Sequence, residues 1–185
     1  DRKQNLKNYS KVLKSLIIGC KFLQKNKCKF ISIPCNTAHY WYEDLKMKIK
    51  IPILNMPKIV YENALRNCSK SSKIGLLATE TTIKTEIYKK YFEKKYDLIV
   101  PLKKLQTKCV NKSIKLVKMG KIKEAEKAIK PAVNYLLKKK CKKIILGCTE
   151  LPIAIFAYKS FKKAKLSKIF MDPNLILAEA SLKRY

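Results

Sequence analysis

The sequence predicts an α/β fold made of two similar halves, each containing a parallel β-sheet. Three observations lead to this prediction. Short apolar runs alternate with segments of helical periodicity, an order typical of parallel strands joined by crossover helices. The stretch KCKFISIPCNT at 27–37 returns at 140–150 as KCKKIILGCTE, so the chain contains an internal repeat. Each copy breaks its apolar run at Pro34 or Gly147 and then places a cysteine at the turn.

The first half begins with apolar residues at three- and four-residue intervals, which predict an amphipathic helix. Pro57 suits the first turn of a later helix. The predicted elements, in order, are a helix over 5–26, a strand over 30–33, a helix over 37–48, a strand over 51–55 and a helix over 57–67. Ser69–Ser72 then marks the boundary between the halves.

The second half repeats the alternation, and Asp172-Pro173 supplies an N-cap and a first-turn proline for the last helix. The predicted elements are strands over 73–78, 97–100, 143–146 and 169–171, with helices over 83–94, 103–119, 124–139 and 151–158. The fold prediction is therefore two domains related by a pseudo-two-fold axis. The first comprises 1–67 with 172–185, the second comprises 70–171, and the active site lies in the cleft between them.

The charge is strongly basic, with 43 Lys+Arg against 13 Asp+Glu and a formal net charge of +30. Such a balance raises nucleic acid as a partner, and a basic nucleic-acid-binding module is one alternative function. However, Arg2, Arg66 and Arg184 are the only arginines, and the lysines spread along the whole chain. No zinc-finger or RNP1 pattern is present, so specific nucleic-acid binding is not expected.

The seven cysteines include no CxxC pair, and the spacing of Cys28 to Cys35 matches no common zinc motif. We therefore expect no metal site and a reduced protein in the cytoplasm. No apolar run approaches the roughly 18 residues that a membrane-spanning helix requires, so no membrane partner is expected.

Cys35 and Cys148 each lie between a predicted strand and a predicted helix, where the helix amino terminus can favour a thiolate. Free cysteine is also often a small buried hydrophobic residue, so both interpretations stay open. His39 could be a general base paired with Cys35, as in a hydrolase, or could orient the Cys35 turn. The hydroxyls of Thr79–Thr82 could cap a helix or bind an anion such as a carboxylate.

Several segments together resemble the aspartate/glutamate racemase superfamily, and the aspartate racemase branch in particular. They are PCNTAH at 34–39, ILNMP at 53–57, GLLATETTIKT at 75–85, LGCTELP at 146–152 and DP at 172–173. The resemblance implies an isomerase that interconverts L- and D-aspartate without pyridoxal phosphate, metal or another cofactor. It also implies that the protein is a homodimer and that it binds a small amino acid, aspartate, as its substrate.

In this family two cysteines act on opposite faces of the substrate, and Cys35 and Cys148 match those two positions. Which of them is the thiolate depends on the handedness of the substrate. The matching substrate-binding positions are Arg2, Asn36, Thr37, Thr79, Thr82, Lys118, Thr149 and Glu150. His39 is expected to support the Cys35 turn without contacting the substrate.

Two departures from the family pattern bear on activity. The family's first strand and its glycine-rich turn should precede Asp1. Thr81 stands where the family usually has glycine, and it would strain the loop if that glycine requires a positive φ. The alternatives are thus a broader aspartate/glutamate racemase, a related isomerase, or a truncated and catalytically silent relative.

Overall fold

Four parallel strands form the central sheet, in the order β2-β1-β3-β4. They are β1 (Lys73–Ala78), β2 (Asp97–Ile99), β3 (Lys143–Gly147) and β4 (Phe170–Met171). This computed structural model describes residues 2–156 and 168–184, with side chains described from residue 10 onward. The α/β class and the parallel sheet are confirmed.

The helices are α1 (Arg2–Lys25), α2 (Tyr42–Lys48), α3 (Met56–Asn67), α4 (Glu80–Lys84), α5 (Lys89–Phe92), α6 (Lys103–Leu105), α7 (Lys112–Lys118), α8 (Ile122–Lys138), α9 (Glu150–Phe156) and α10 (Pro173–Leu182). A 3₁₀ helix covers Thr37–Trp41, and a π-helical segment covers Gln106–Asn111. Asp172 caps α10 by accepting a 2.9 Å bond from the amide of Asn174, as its sequence predicted. No described helix is both long and apolar enough to span a membrane.

Both faces of the sheet are covered, which explains the continuous apolar character of its strands. Leu77 and Ile144 point into a core shared with α7, α8 and α9. Leu76 and Ile145 point the other way, into a core shared with α3, α5 and α10. Because α3 and α10 pack against this second face, residues of both predicted domains contribute to one core. The domain boundaries themselves stay a prediction.

Both copies of the internal repeat begin with the same backbone conformation. Lys27 and Lys140 follow a helix and adopt positive φ values of 60° and 61°. In each case the next amide, that of Cys28 or Cys141, bonds to the carbonyl five residues earlier at 3.2 Å. This is the Schellman arrangement that ends a helix, usually with glycine at the left-handed position. In both copies, lysine therefore occupies a position that normally favours glycine.

The first half forms less sheet than its sequence predicts. The predicted strands 30–33 and 51–55 reduce to one parallel bridge between Ile31 and Ile53. Within the described chain, the two segments pair only with each other, and a two-stranded arrangement is marginal. Pro34 and Pro52 also lack amide donors, which stops the ladder from extending.

Two predicted helices differ from the structure. The single helix expected over 83–94 is two short helices, α4 and α5, separated at Glu86, where φ is +54°. Threonine-rich sequence favours caps and turns over a long helix interior, which accounts for the early break. The helix expected over 103–119 is continuous but contains the π-helical segment. Residues 157–158 of the helix predicted over 151–158 lie outside the described residues.

Candidate active site

The two repeat cysteines lie on turns with matching backbone hydrogen bonds. The amide of Cys35 bonds to the carbonyl of Ile33, and the amide of Cys148 to that of Leu146, each at 2.8 Å. A bond spanning three residues is typical of a γ-turn at a strand end. The two thiols differ in exposure, since Cys35 is exposed and Cys148 is only 8% exposed. All seven cysteines are free.

The Cys148 turn lies beside the loop that follows β1. Ala78 and Gly147 are register partners at the ends of β1 and β3. A Cβ atom on Gly147 would lie only 3.0 Å from the Cβ of Ala78. A side chain at Gly147 would therefore crowd β1. The register of β1 and β3 places Thr79 and Cys148, the next residue of each strand, at the same sheet edge. In parallel α/β sheets this carboxyl edge is where ligands bind.

A cluster of three threonine hydroxyls joins the Cys35 turn to the same edge. Thr37 Oγ1 lies 2.8 Å from Thr82 Oγ1 and 3.4 Å from Thr79 Oγ1. Thr79 also caps α4, because its hydroxyl accepts a 3.2 Å bond from the amide of Thr82. The cluster thus joins Thr37, two residues after Cys35, to the loop that follows β1.

Thr81 lies within α4 and is not among the residues with positive φ. Its carbonyl accepts bonds from Thr85 in the normal helical direction. The backbone strain expected from replacing the family's glycine is therefore absent here.

Cys148 forms a hydrogen bond with an acidic neighbour, Glu150. Its Sγ donates to Glu150 Oε2 at 2.9 Å, and Thr149 Oγ1 donates to the same oxygen at 2.8 Å. Lys118 Nζ lies 3.5 Å from the other carboxylate oxygen. Burial, followed by the bond to Glu150 and its charge, raises the pKa of Cys148 to about 12. Burial opposes ionisation of Glu150, but the bonds from Cys148 and Thr149 outweigh it and lower its pKa.

His39 is buried against two backbone carbonyls. Its Nδ1 lies 2.9 Å from the carbonyl oxygen of Cys35, and its Nε2 lies 3.2 Å from that of Leu54. Burial lowers the pKa of His39, although both carbonyl contacts act in the opposite direction. The imidazole ties the Cys35 turn to the segment before α3, which is the contact that an orienting role requires. Its two nitrogens are engaged with backbone, which disfavours a hydrolase-type base for Cys35.

Asn36, next to Cys35, is 3% exposed, and its side chain does not cap the 3₁₀ helix that begins at Thr37. Its Oδ1 accepts a hydrogen bond from the hydroxyl of Tyr88, a fully buried residue. Its Nδ2 is buried without a hydrogen-bond partner. The sequence pattern did not indicate the Tyr88 contact, because 52 residues separate the two side chains.

A second polar network lies behind the threonine loop. Gln106 Nε2 donates to the carbonyl of Ala78 and to Asn111 Oδ1, both at 2.9 Å. Asn111 Nδ2 donates to Glu80 Oε1 at 2.8 Å. The π-helical segment brings Gln106 and Asn111 onto one side, and no residue spacing in the sequence signals a π-helix.

Ten of the eleven predicted site residues lie in two groups. The first contains Cys35, Asn36, Thr37, His39, Thr79 and Thr82, and the second contains Cys148, Thr149 and Glu150. Lys118 joins the second group through Glu150, with its own side chain 64% exposed. The Arg2 side chain lies outside the described residues. Among the described residues, no group of three or more His, Cys, Asp or Glu side chains could hold a metal ion. The functional role of each site residue remains a prediction.

The family model of Asp/Glu/Hydantoin racemase matches residues 1–180. The broad specificity amino-acid racemase RacX of Bacillus subtilis is 28% identical over 144 residues, covering 78% of this chain and 62% of that protein. A glutamate racemase of Leptospira interrogans is 32% identical over 144 residues, covering 77% of this chain and 54% of that protein. The chain spans little more than half the length of these two relatives.

The fold is similar to that of solved racemases. Picrophilus torridus aspartate racemase matches with a TM-score of 0.76 and 26% sequence identity, over 93% of this chain and 68% of that chain. The resemblance of the cysteine and threonine motifs to the racemase superfamily is therefore confirmed across almost the whole sequence. This chain belongs to the Asp/Glu/hydantoin racemase family.

Proposed function

We propose that this protein is a cofactor-independent amino-acid racemase that inverts the α-carbon of aspartate with Cys35 and Cys148 as its two bases. The observation that carries the proposal is the asymmetric pair of cysteine turns. Their backbone bonds match, yet one thiol is exposed and the other is buried and bonded to Glu150. A two-base racemase needs one thiolate and one protonated thiol at the same time.

The proton transfers follow from this asymmetry. In one direction of the reaction Cys148, whose pKa is raised to about 12 by burial and by its bond to Glu150, is the protonated acid. Cys35 as thiolate removes the α-proton, so an S–H bond forms at Cys35 while the C–H electron pair remains on the substrate. Cys148 then donates its proton to the opposite face and becomes the thiolate. For the other enantiomer the two roles exchange.

The α-carboxylate takes up developing negative charge during this transfer, and fixed donors around it lower the barrier. The hydroxyls of Thr37, Thr79 and Thr82 form one donor group at the shared sheet edge. Asn36 Nδ2 adds a buried donor beside Cys35. Lys118, Arg2 and the Thr149 hydroxyl complete the proposed contacts, with the two cations for the two carboxylates of aspartate.

A broader aspartate/glutamate racemase is the second candidate. It is favoured by the similarity to the broad specificity RacX and to a glutamate racemase. Cys148 is followed by Thr149 and Glu150, whereas glutamate racemases typically have histidine at the second of these positions, which supports aspartate. The related-isomerase and catalytically silent alternatives are outcomes of the assay below.

We also propose a homodimer acting in the cytoplasm, with no specific nucleic-acid partner. The seven free cysteines suit a reducing compartment. The two-domain arrangement, with the thiols facing each other across the interdomain cleft, belongs to the same proposal.

The test is racemisation of L- and D-aspartate, glutamate and alanine by purified protein without added pyridoxal phosphate or metal. We expect turnover of aspartate that Cys35→Ser or Cys148→Ser abolishes, since a hydroxyl is far harder to ionise than a thiol. Cys68→Ser is the matched control, because Cys68 lies away from both turns, and it should retain nearly full activity. Wild-type turnover that survives Cys148→Ser would refute the two-base mechanism. Faster turnover of glutamate would favour the broader racemase, and no turnover of any amino acid would favour the silent relative.

A further inference from the structure

Tyr88 contacts the Cys35 turn from the opposite half of the molecule. Its side chain is fully buried in the core between the sheet and α3, near Phe92, with ring centroids 6.1 Å apart. Its hydroxyl nevertheless donates to Asn36 Oδ1. Burial, followed by the charge of Asp172, raises the pKa of Tyr88, so the phenol stays neutral and keeps its proton as a donor.

This bond determines which way the Asn36 amide faces. An amide has one acceptor oxygen and one donor nitrogen, and exchanging them would place Nδ2 against Tyr88. With Oδ1 engaged by the phenol, Nδ2 is directed away from Tyr88 and remains buried without a partner. An unsatisfied buried donor costs free energy, so its retention next to a reactive turn points to a ligand that satisfies it.

We propose that Tyr88 is a positioning residue for catalysis: its hydroxyl orients the Asn36 amide so that Nδ2 donates to a carboxylate oxygen of the bound amino acid. This inference rests on the proposed function and adds a residue that does not touch the substrate. The hydrogen bond also connects the Cys35 turn to the core beside the threonine loop. Through Tyr88, the Cys35 turn is therefore held against the core that packs on the sheet, and Cys148 follows strand β3 of the same sheet.

Tyr88→Phe removes only the hydroxyl and keeps the buried ring. We expect kcat/KM for aspartate to fall about tenfold, the effect of one lost or misdirected hydrogen bond to a charged group. Tyr96→Phe is the matched control. Tyr96 is also buried in the same aromatic cluster, but its hydroxyl makes only a 3.5 Å contact with the carbonyl of Cys68. That control should lose little activity.

A double-mutant cycle separates positioning from a merely structural role. Asn36→Ala should lower kcat/KM at least as much as Tyr88→Phe, and adding Tyr88→Phe to it should cause no further loss. Fully additive losses would overturn the inference, as would wild-type kcat/KM in Tyr88→Phe. In both cases an active wild-type protein leaves the proposed function standing. If wild-type protein binds aspartate without turnover, the same cycle is read as Kd, and if it neither binds nor racemises amino acids, both proposals fail.

Discussion

Cys148 Sγ lies 2.9 Å from Glu150 Oε2, so a buried thiol donates a hydrogen bond to a carboxylate two residues later. The same carboxylate is held by Thr149 and by Lys118. This pairing opposes thiolate formation at Cys148. Cys35 is exposed, and among the described residues no carboxylate holds its thiol in this way. The chemical difference between the two halves of the repeat thus centres on Glu150.

Glu150→Gln should lower the pKa of Cys148 from about 12, because it removes the carboxylate charge that raises it. The pKa should still exceed the ordinary value of 9.0, since burial is the larger cause. The measurement is the pH dependence of Cys148 alkylation, followed on its own peptide by mass spectrometry. Glu124→Gln, an exposed change on α8, is the control and should leave the profile unchanged.

The same pKa sets how stability responds to alkaline pH. The folded protein holds the Cys148 proton more tightly than the unfolded chain does, because the folded pKa is the higher one. The resulting stability is fully present below about pH 9 and is lost as pH rises toward 12. Glu150→Gln should lower the pH at which this contribution to stability is lost completely, because it lowers the folded-state pKa of Cys148. A Cys148 alkylation profile identical to that of the wild type would contradict this account of the thiol.

His39 is expected to titrate below its ordinary pKa of 6.5, because burial disfavours the charged imidazolium. The unfolded chain then binds this proton more readily than the folded protein, so stability is fully present above pH 6.5 and falls as pH decreases through the folded pKa. His39 is the only histidine, so its imidazole signal can be followed by NMR without assignment. His39→Gln should reduce the loss of stability at acidic pH. A midpoint at or above 6.5 would show that the two carbonyl contacts dominate over burial.

Lys140→Gly should stabilise the protein by about 1 kcal/mol. Lys140 has φ of 61°, a left-handed conformation that costs a residue with a Cβ atom roughly 1–2 kcal/mol, whereas glycine adopts it freely. The free energy of unfolding in urea measures the change. Lys127→Gly, at an exposed position inside α8, is the matched control and should destabilise by about 1 kcal/mol. Destabilisation of similar size by both substitutions would mean that the left-handed position carries no strain.

Features that depend on neighbouring residues could be predicted from the residue pattern. The two KCK segments predicted equivalent structures, and Lys27 and Lys140 indeed have the same left-handed φ. The apolar runs predicted β1 and β3, and Asp172-Pro173 predicted the start of α10. Each of these outcomes follows from steric preference and hydrogen bonding within a few residues of chain, which a residue pattern records directly.

Which side chains meet, and how deeply each is buried, depends on contacts between distant parts of the chain. Thr37 bonds to Thr82, and Tyr88 bonds to Asn36, across separations of 45 and 52 residues. Equivalent turns present Cys35 to solvent and bury Cys148 against Glu150. The pKa of a thiol depends on desolvation and on charges brought near it by folding. The raised pKa of Cys148 therefore depends on the tertiary structure, because its largest cause is burial, which a residue pattern does not record.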